Sequence, residues 1–271
     1  MVDYKYMKRL LPILLLVAAT VLGDGVPFDA TRGLVEIEVT INNLVDGRFG
    51  IDTGADRVYI DRNFAVEHGL VDDTGPAKWK IAGVGGETAG RNLIIRSLEI
   101  GGECVYNVNA TVVDLAAVSG AEGDPPDGLI GHQVLERMYV TVDYPNRRLA
   151  LSTNRPGDLG GGRTIAVPFD EAGHLVVVDV DFPDGSSHPM LLDYCAGVSW
   201  ISRKLARAMD LDDESSDVQY VPEMSIAGAI TTTDVAVVVD NLARYRRAVG
   251  GVDFEGILGA VSYTHLRAHE T

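Results

Sequence analysis

The residues in this chain best suited to chemistry are Asp52-Thr53-Gly54-Ala55, which follow the apolar run Phe49-Gly50-Ile51. A carboxylate at the end of a buried strand is costly unless its surroundings are built to hold it. The short side chain of Thr53 and the bare backbone of Gly54 suit such a cradle. A carboxylate held in this way is equipped for proton transfer, and it needs a partner from elsewhere in the chain. The tripeptide alone is weak evidence, because Asp73-Thr74-Gly75 repeats it with no apolar strand before it and a proline after it. That copy is expected to be a surface turn.

Other kinds of site are poorly provided for. The six histidines are scattered singly, without the spacing of a metal site. There is no Gly-x-Ser-x-Gly elbow, and Ser199 has no evident histidine partner. The glycines at 83–86 are followed by neither a lysine nor a helix, which argues against a phosphate loop. Neither a metal nor a cofactor is expected.

The elements that must position Asp52 are short aliphatic strands punctuated by glycine. Leu34 to Ile41 alternates apolar and polar residues, a turn follows, and Arg48 to Ile51 leads into Asp52. Val58 to Ile60 returns, and Asn63 to His68 suits a short helix. Trp79 to Ala82 enters the glycine-rich tip Gly83-Val84-Gly85-Gly86, which has the composition of a flexible hairpin. Strands at 93–100 and 104–113 follow, then Gly128-Leu129-Ile130-Gly131-His132, a short helix, and strands at 139–143 and 148–151.

The same order then recurs. His174 to Val180 matches the first strand, and Pro189-Met190-Leu191-Leu192 runs into Asp193. Val198 to Ile201 corresponds to Arg57 to Ile60, and Arg203 to Met209 to the short helix. Ser225 to Ala229 is matched to Lys80 to Val84, and Glu255 to Gly259 to Asp127 to Gly131. This internal repeat predicts an all-β protein of two homologous, barrel-like lobes with short helices and a cleft between them. It also puts Asp193 at the position of Asp52. The expected divisions are a first lobe at 27–152, a linker at 153–163 and a second lobe at 164–261.

Both ends of the chain differ from this pattern. Lys5, Lys8 and Arg9 precede an apolar run from Leu10 to Leu22 and then Gly23-Asp24-Gly25, the pattern of a secretory signal over residues 1–23. The run is too short to span a bilayer comfortably. Export to the periplasm or the medium is therefore expected, with no stable membrane span after cleavage. Residues 262–271 break with the aliphatic alternation and are expected to be a non-native tail, so that the second lobe is truncated. The formal net charge of −16 argues against nucleic acid as a partner, because phosphate binding needs a basic face. Cys104 and Cys195 fall in different lobes and are expected to be two half-buried thiols.

With these residues in view, the chain resembles the retropepsin-like and pepsin-like aspartic proteases, especially exported bacterial ones with a duplicated domain. The resemblance implies a bilobal acid-protease fold and an endopeptidase acting on an extended peptide or protein. It implies that Asp52 and Asp193 are the catalytic pair, sharing one proton and activating a water. Thr53 would hydrogen-bond across the axis between the lobes, with Gly54 and Ala55 completing the turn. Gly131 and Gly259 would let a strand pass beneath each active-site loop, and Ala82, Gly83, Val84 and Gly85 would form a flap over the substrate. The second lobe departs from the family pattern, with Tyr194 and Cys195 where Thr and Gly are expected. A monomer is expected. Two alternatives stay open: a protein that binds peptides without cleaving them, and a homodimer that pairs Asp52 from two chains.

Overall fold

The computed structural model describes residues 14–16, 25–31, 33–72, 79–83, 86–116, 125–144, 146–154, 167–226, 228, 230–259 and 267–268. The strands, in chain order, begin with β1 (Leu14–Leu16), β2 (Val26–Pro27), β3 (Glu36–Ile41), β4 (Val45–Ile51) and β5 (Val58–Asp61). After helix α1 (Arg62–Glu67) come β6 (Trp79–Gly83), β7 (Gly86–Ile100), β8 (Glu103–Val113) and β9 (Gly128–Ile130). Helix α2 (His132–Leu135) precedes β10 (Tyr139–Asp143) and β11 (Arg148–Ser152). The second half holds β12 (Asp170–Ala172), β13 (Leu175–Asp181), β14 (Ser187–Asp193), β15 (Ser199–Ser202), α3 (Arg203–Ala208), β16 (Gln219–Ile226), β17 (Ile230–Asp240), α4 (Ala243–Ala248), β18 (Gly256–Gly259) and β19 (Arg267–Ala268).

Two six-stranded barrels result. In the first, the order β3-β4-β9-β5-β8-β7 closes on itself through Thr40 opposite Glu99 and Ile41 opposite Leu98. In the second, β13-β14-β18-β15-β17-β16 closes through Val180 opposite Ile226 and Asp181 opposite Ser225. Closure leaves no open edge around either ring. Strand directions agree as well. The pairs β4–β9 and β14–β18 are both parallel, and so are β5–β8 and β15–β17. The fold is a two-lobed, all-β acid-protease fold with short helices.

Local chemistry explains the shared parts. Alternation along β3 puts Ile37, Val39 and Ile41 inside and Glu38 outside. Each of the first helices in the two lobes starts on a capping side chain: Asp61 accepts from the amides of Asn63 and Phe64, and Ser202 from that of Leu205. One apolar core runs from Phe49 and Ile60 through Val142, Leu149 and Leu151 into Met190, Ile201 and Val237. The middle group lies on the sheet β1-β10-β11-β2 that joins the lobes. Among the described residues no helix is long and apolar enough to cross a membrane.

Two segments set apart in the sequence make strand pairings, and one match between the lobes differs from the sequence expectation. Leu14–Leu16, inside the apolar run assigned to a leader, pairs in parallel with Thr141–Asp143 as an edge of the joining sheet. Arg267–Ala268, in the tail set aside as non-native, pairs with Ile230 and Thr231. The match of Ser225–Ala229 to the glycine-rich flap is wrong. That tip joins β16 to β17, which occupy the barrel positions of β7 and β8, so its counterpart is the Gly101-Gly102 turn. The flap hairpin β6–β7 has no such counterpart among the described residues of the second lobe.

Candidate active site

Each barrel delivers one aspartate in the same way. Strand β4 ends at Ile51 beside Ile130 of β9, and the Asp52 amide continues the ladder to the Ile130 carbonyl at 3.0 Å. Strand β14 ends at Asp193 beside Gly259 of β18. A tight turn follows in both cases. Asp52 Oδ1 accepts from the amides of Gly54 (2.8 Å) and Ala55 (3.0 Å), and Asp193 Oδ1 from those of Cys195 (2.8 Å) and Ala196 (3.2 Å). The two turns are two copies of one carboxylate cradle.

The turns face each other. An atom placed at the Cβ position of Gly54 would lie 2.9 Å from Asp193 Oδ2 and 3.3 Å from Asp52 Oδ1, so both carboxylates flank this glycine. Thr53 ties the turns together. Its hydroxyl donates to the Leu192 carbonyl at 2.6 Å and accepts from the Tyr194 amide at 3.1 Å. Tyr194 is buried in the core instead of repeating that contact from the other side.

A glycine supports each turn from below. A Cβ on Gly131 would sit 2.3 Å from the Arg57 carbonyl oxygen and 2.6 Å from that of Ala55. A Cβ on Gly259 would sit 2.6 Å from the carbonyl oxygens of Ala196 and Val198. No side chain fits either place. Beyond Gly131, helix α2 is hung from the first turn by the His132 amide on the Ala55 carbonyl at 2.8 Å.

Burial governs the electrostatics. Asp52 is pushed up to about 8, by burial first and by the charge of Asp193 second, with the Gly54 and Ala55 amides and the Cys195 thiol pulling the other way. Burial also raises Asp193, against the Cys195 and Ala196 amides. Both shifts favour the protonated carboxyl over the charged one. Among the described residues no cluster of His, Cys, Asp and Glu could hold a metal ion.

Of the residues expected to form a flap, Ala82 and Gly83 end strand β6. Ala82 pairs with Glu87, and Gly83 with Gly86. Val84 and Gly85 fall outside the described residues, as does the surface turn expected at Asp73-Thr74-Gly75. The flap strand β6 approaches helix α4 of the second lobe. Both cysteines are unpaired and half-buried.

Several residues beside the dyad carried no signal on their own in the sequence. His174, in the β12–β13 turn of the second lobe, places Nε2 3.2 Å from the Gly54 carbonyl oxygen. Asp56 accepts from Arg57 and from the Tyr59 hydroxyl (2.7 Å). Burial opposes its charge, but these hydrogen bonds hold Asp56 below the usual carboxylate range. Asp56 directly follows Asp52-Thr53-Gly54-Ala55, so adjacency could have flagged it. Nothing local could have flagged His174.

Each of the paired barrels ends a strand at or beside an aspartate, and the two aspartate turns face each other around Gly54. Residues 37–134, within the first lobe, match the family described as aspartyl protease. Among solved structures, the chain is similar to a retropepsin-like aspartic protease from Rickettsia conorii, at 21% identity and a TM-score of 0.34. That similarity covers 47% of this chain and 88% of the other. A comparison with curated proteins gave no match.

Proposed function

We propose that the protein is an aspartic endopeptidase in which Asp52 and Asp193 share one proton and activate a water. The observation that carries this reading is the facing of the two cradles around Gly54, with a carboxylate oxygen of each aspartate close to one point. The ionised member takes a proton from water, which attacks the peptide carbonyl. The protonated member polarises that carbonyl and then protonates the leaving nitrogen. The substrate is an extended peptide, held under the β6–β7 hairpin by backbone hydrogen bonds.

Because one chain supplies both carboxylates, the working unit is the monomer rather than a dimer pairing two copies of Asp52. The basic and apolar leader supports export to the periplasm or the medium. Incubation of the purified protein with an unfolded polypeptide tests the activity, with product analysis at several pH values. Cleavage is expected, and Asp52→Asn is expected to remove it by a factor on the order of 10³ or more. Undiminished cleavage by Asp52→Asn would overturn the proposal. Peptide affinity without turnover would mark a binding protein instead.

A further inference from the structure

We propose that His174 is a positioning residue of the dyad: its Nε2–H donates to the Gly54 carbonyl, and that peptide group carries the effect to Asp52 through the Ala55 amide. The proposal rests on the peptidase reading of the dyad. Nε2 lies 3.2 Å from the Gly54 carbonyl oxygen. A carbonyl only accepts, so the proton of this bond belongs to Nε2. The same peptide group ends in the Ala55 N–H, which donates to Asp52 Oδ1 at 3.0 Å. Donor, peptide and carboxylate therefore stand in series, running from the second lobe to the carboxylate of the first. Hydrogen bonds joined through one peptide group polarise and strengthen each other, by roughly 10–30% per bond. The Gly54 amide also donates to Oδ1, at 2.8 Å, but it belongs to the preceding peptide group and lies outside the series.

Strand register shows that the second turn has no such support. Glu36 stands opposite Gly50, two residues before Asp52, and Val177 opposite Leu191, two residues before Asp193. Counting back three residues from Glu36 and Val177 reaches Gly33 and His174. Both positions cross to the other lobe, since a Cβ on Gly33 would lie 3.3 Å from the Gly197 Cα. Glycine brings no side-chain donor there, so the Cys195 carbonyl, the counterpart of that of Gly54, receives none from this position. The support is one-sided. It strengthens a hydrogen bond to Asp52 and none to Asp193, and a stronger donor to a carboxylate favours its charged form.

Other titratable groups face His174. The His132 ring of α2 has its centroid 6.5 Å away and is paired with Glu136 at 3.3 Å. Asp56, bonded to Arg57 and Tyr59, lies within reach of the charge of His174. Removing the imidazole therefore alters charge as well as a hydrogen bond, and comparing His174→Ala with His174→Gln separates the two. The glutamine lacks the ring and its charge but keeps an N–H of similar reach.

Nitrogen-15 NMR of the unaltered protein reads the ring without needing activity. Neutral His174 should carry its proton on Nε2, and a bare Nε2 with the proton on Nδ1 overturns the proposal. In His174→Ala the Ala55 amide proton should move upfield and the Gly54 amide proton much less. His174→Gln should restore the Ala55 position. An Ala55 shift of the same size in both variants would come from loss of the ring and overturns the proposal. In the kinetic arm, His174→Ala should move the acidic limb of the kcat/KM profile up by about 0.3 pH unit, and His174→Gln should return it. Lower rates with an unmoved limb mean a purely structural tie between the lobes and overturn the proposal. If the unaltered protein cleaves nothing, the peptidase reading fails, and the NMR result alone still decides whether His174 acts on the Asp52 turn.

Discussion

The two active-site turns have the same backbone and different side chains. Asp52 and Asp193 each accept two amides at Oδ1, and each turn rests on a glycine that admits no Cβ. Thr53 and Gly54 nevertheless face Tyr194 and Cys195. The difference teaches which parts of the cradle depend on backbone and which on side chains. The carboxylates are gripped by amides, so a change at position 194 or 195 leaves the grip intact. The tie between lobes is a side-chain matter, and Thr53 supplies it from one side alone, bonding both the carbonyl of Leu192 and the amide of Tyr194.

The supporting glycines should break the comparison most severely. Gly131→Ala and Gly259→Ala each drive a methyl into backbone oxygens, and each should cost about 3 kcal/mol or more. Denaturant melts should show similar losses for both. A small loss for Gly259→Ala alone would mean the second turn is looser than the first.

A next effect concerns pH. The folded pKa of Asp52 is raised to about 8 from an ordinary carboxylate value near 4, so the fold favours the protonated form. The stability linked to this group is present at low pH and is lost as pH rises through that window. Asp52→Asn keeps an acceptor for the Gly54 and Ala55 amides but removes the charge. Its melting temperature should therefore exceed that of the unaltered protein at pH 8, by an amount worth on the order of a few kcal/mol, and the gap should close toward pH 4. A gap independent of pH would contradict the raised pKa.

Thr53→Val removes a hydroxyl that holds two backbone groups of the other lobe, and should cost about 1–3 kcal/mol. Tyr194→Thr tests whether the lost symmetry can be restored. It should lose core packing while regaining little, because Tyr194 is a buried core residue. The helix caps should give the smallest effects. Asp61→Ala and Ser202→Ala should each cost about 1 kcal/mol. The Asp61 loss should be the greater, since Asp61 Oδ2 also accepts from the Leu115 amide at 3.1 Å.

What the sequence disclosed followed from local pattern and from repetition. Alternation in β3, the apolar run before Asp52 and the Leu-Ile-Gly of Gly131 are local features, and the repeated order located Asp193 and Gly259. The assignment of Ser225–Ala229 to a second flap failed for a definite reason. A short run of Ser, Ala and Gly marks a hairpin tip, but which hairpin depends on strand pairing far away. Only the closure of β13 on β16 shows that this tip corresponds to Gly101-Gly102. His174 on the Gly54 carbonyl was hidden for the same reason, since it is a contact between lobes. Asp56, adjacent to the motif, was within reach.

The equivalence of the two aspartates is tested most directly by turnover of Asp193→Asn, compared with Asp52→Asn and with the unaltered protein on the same unfolded polypeptide. If the two cradles form one dyad, each single substitution should abolish cleavage on the order of 10³-fold or more, and the double substitution should add little. Cleavage that survives Asp193→Asn but not Asp52→Asn would contradict a dyad shared between the lobes.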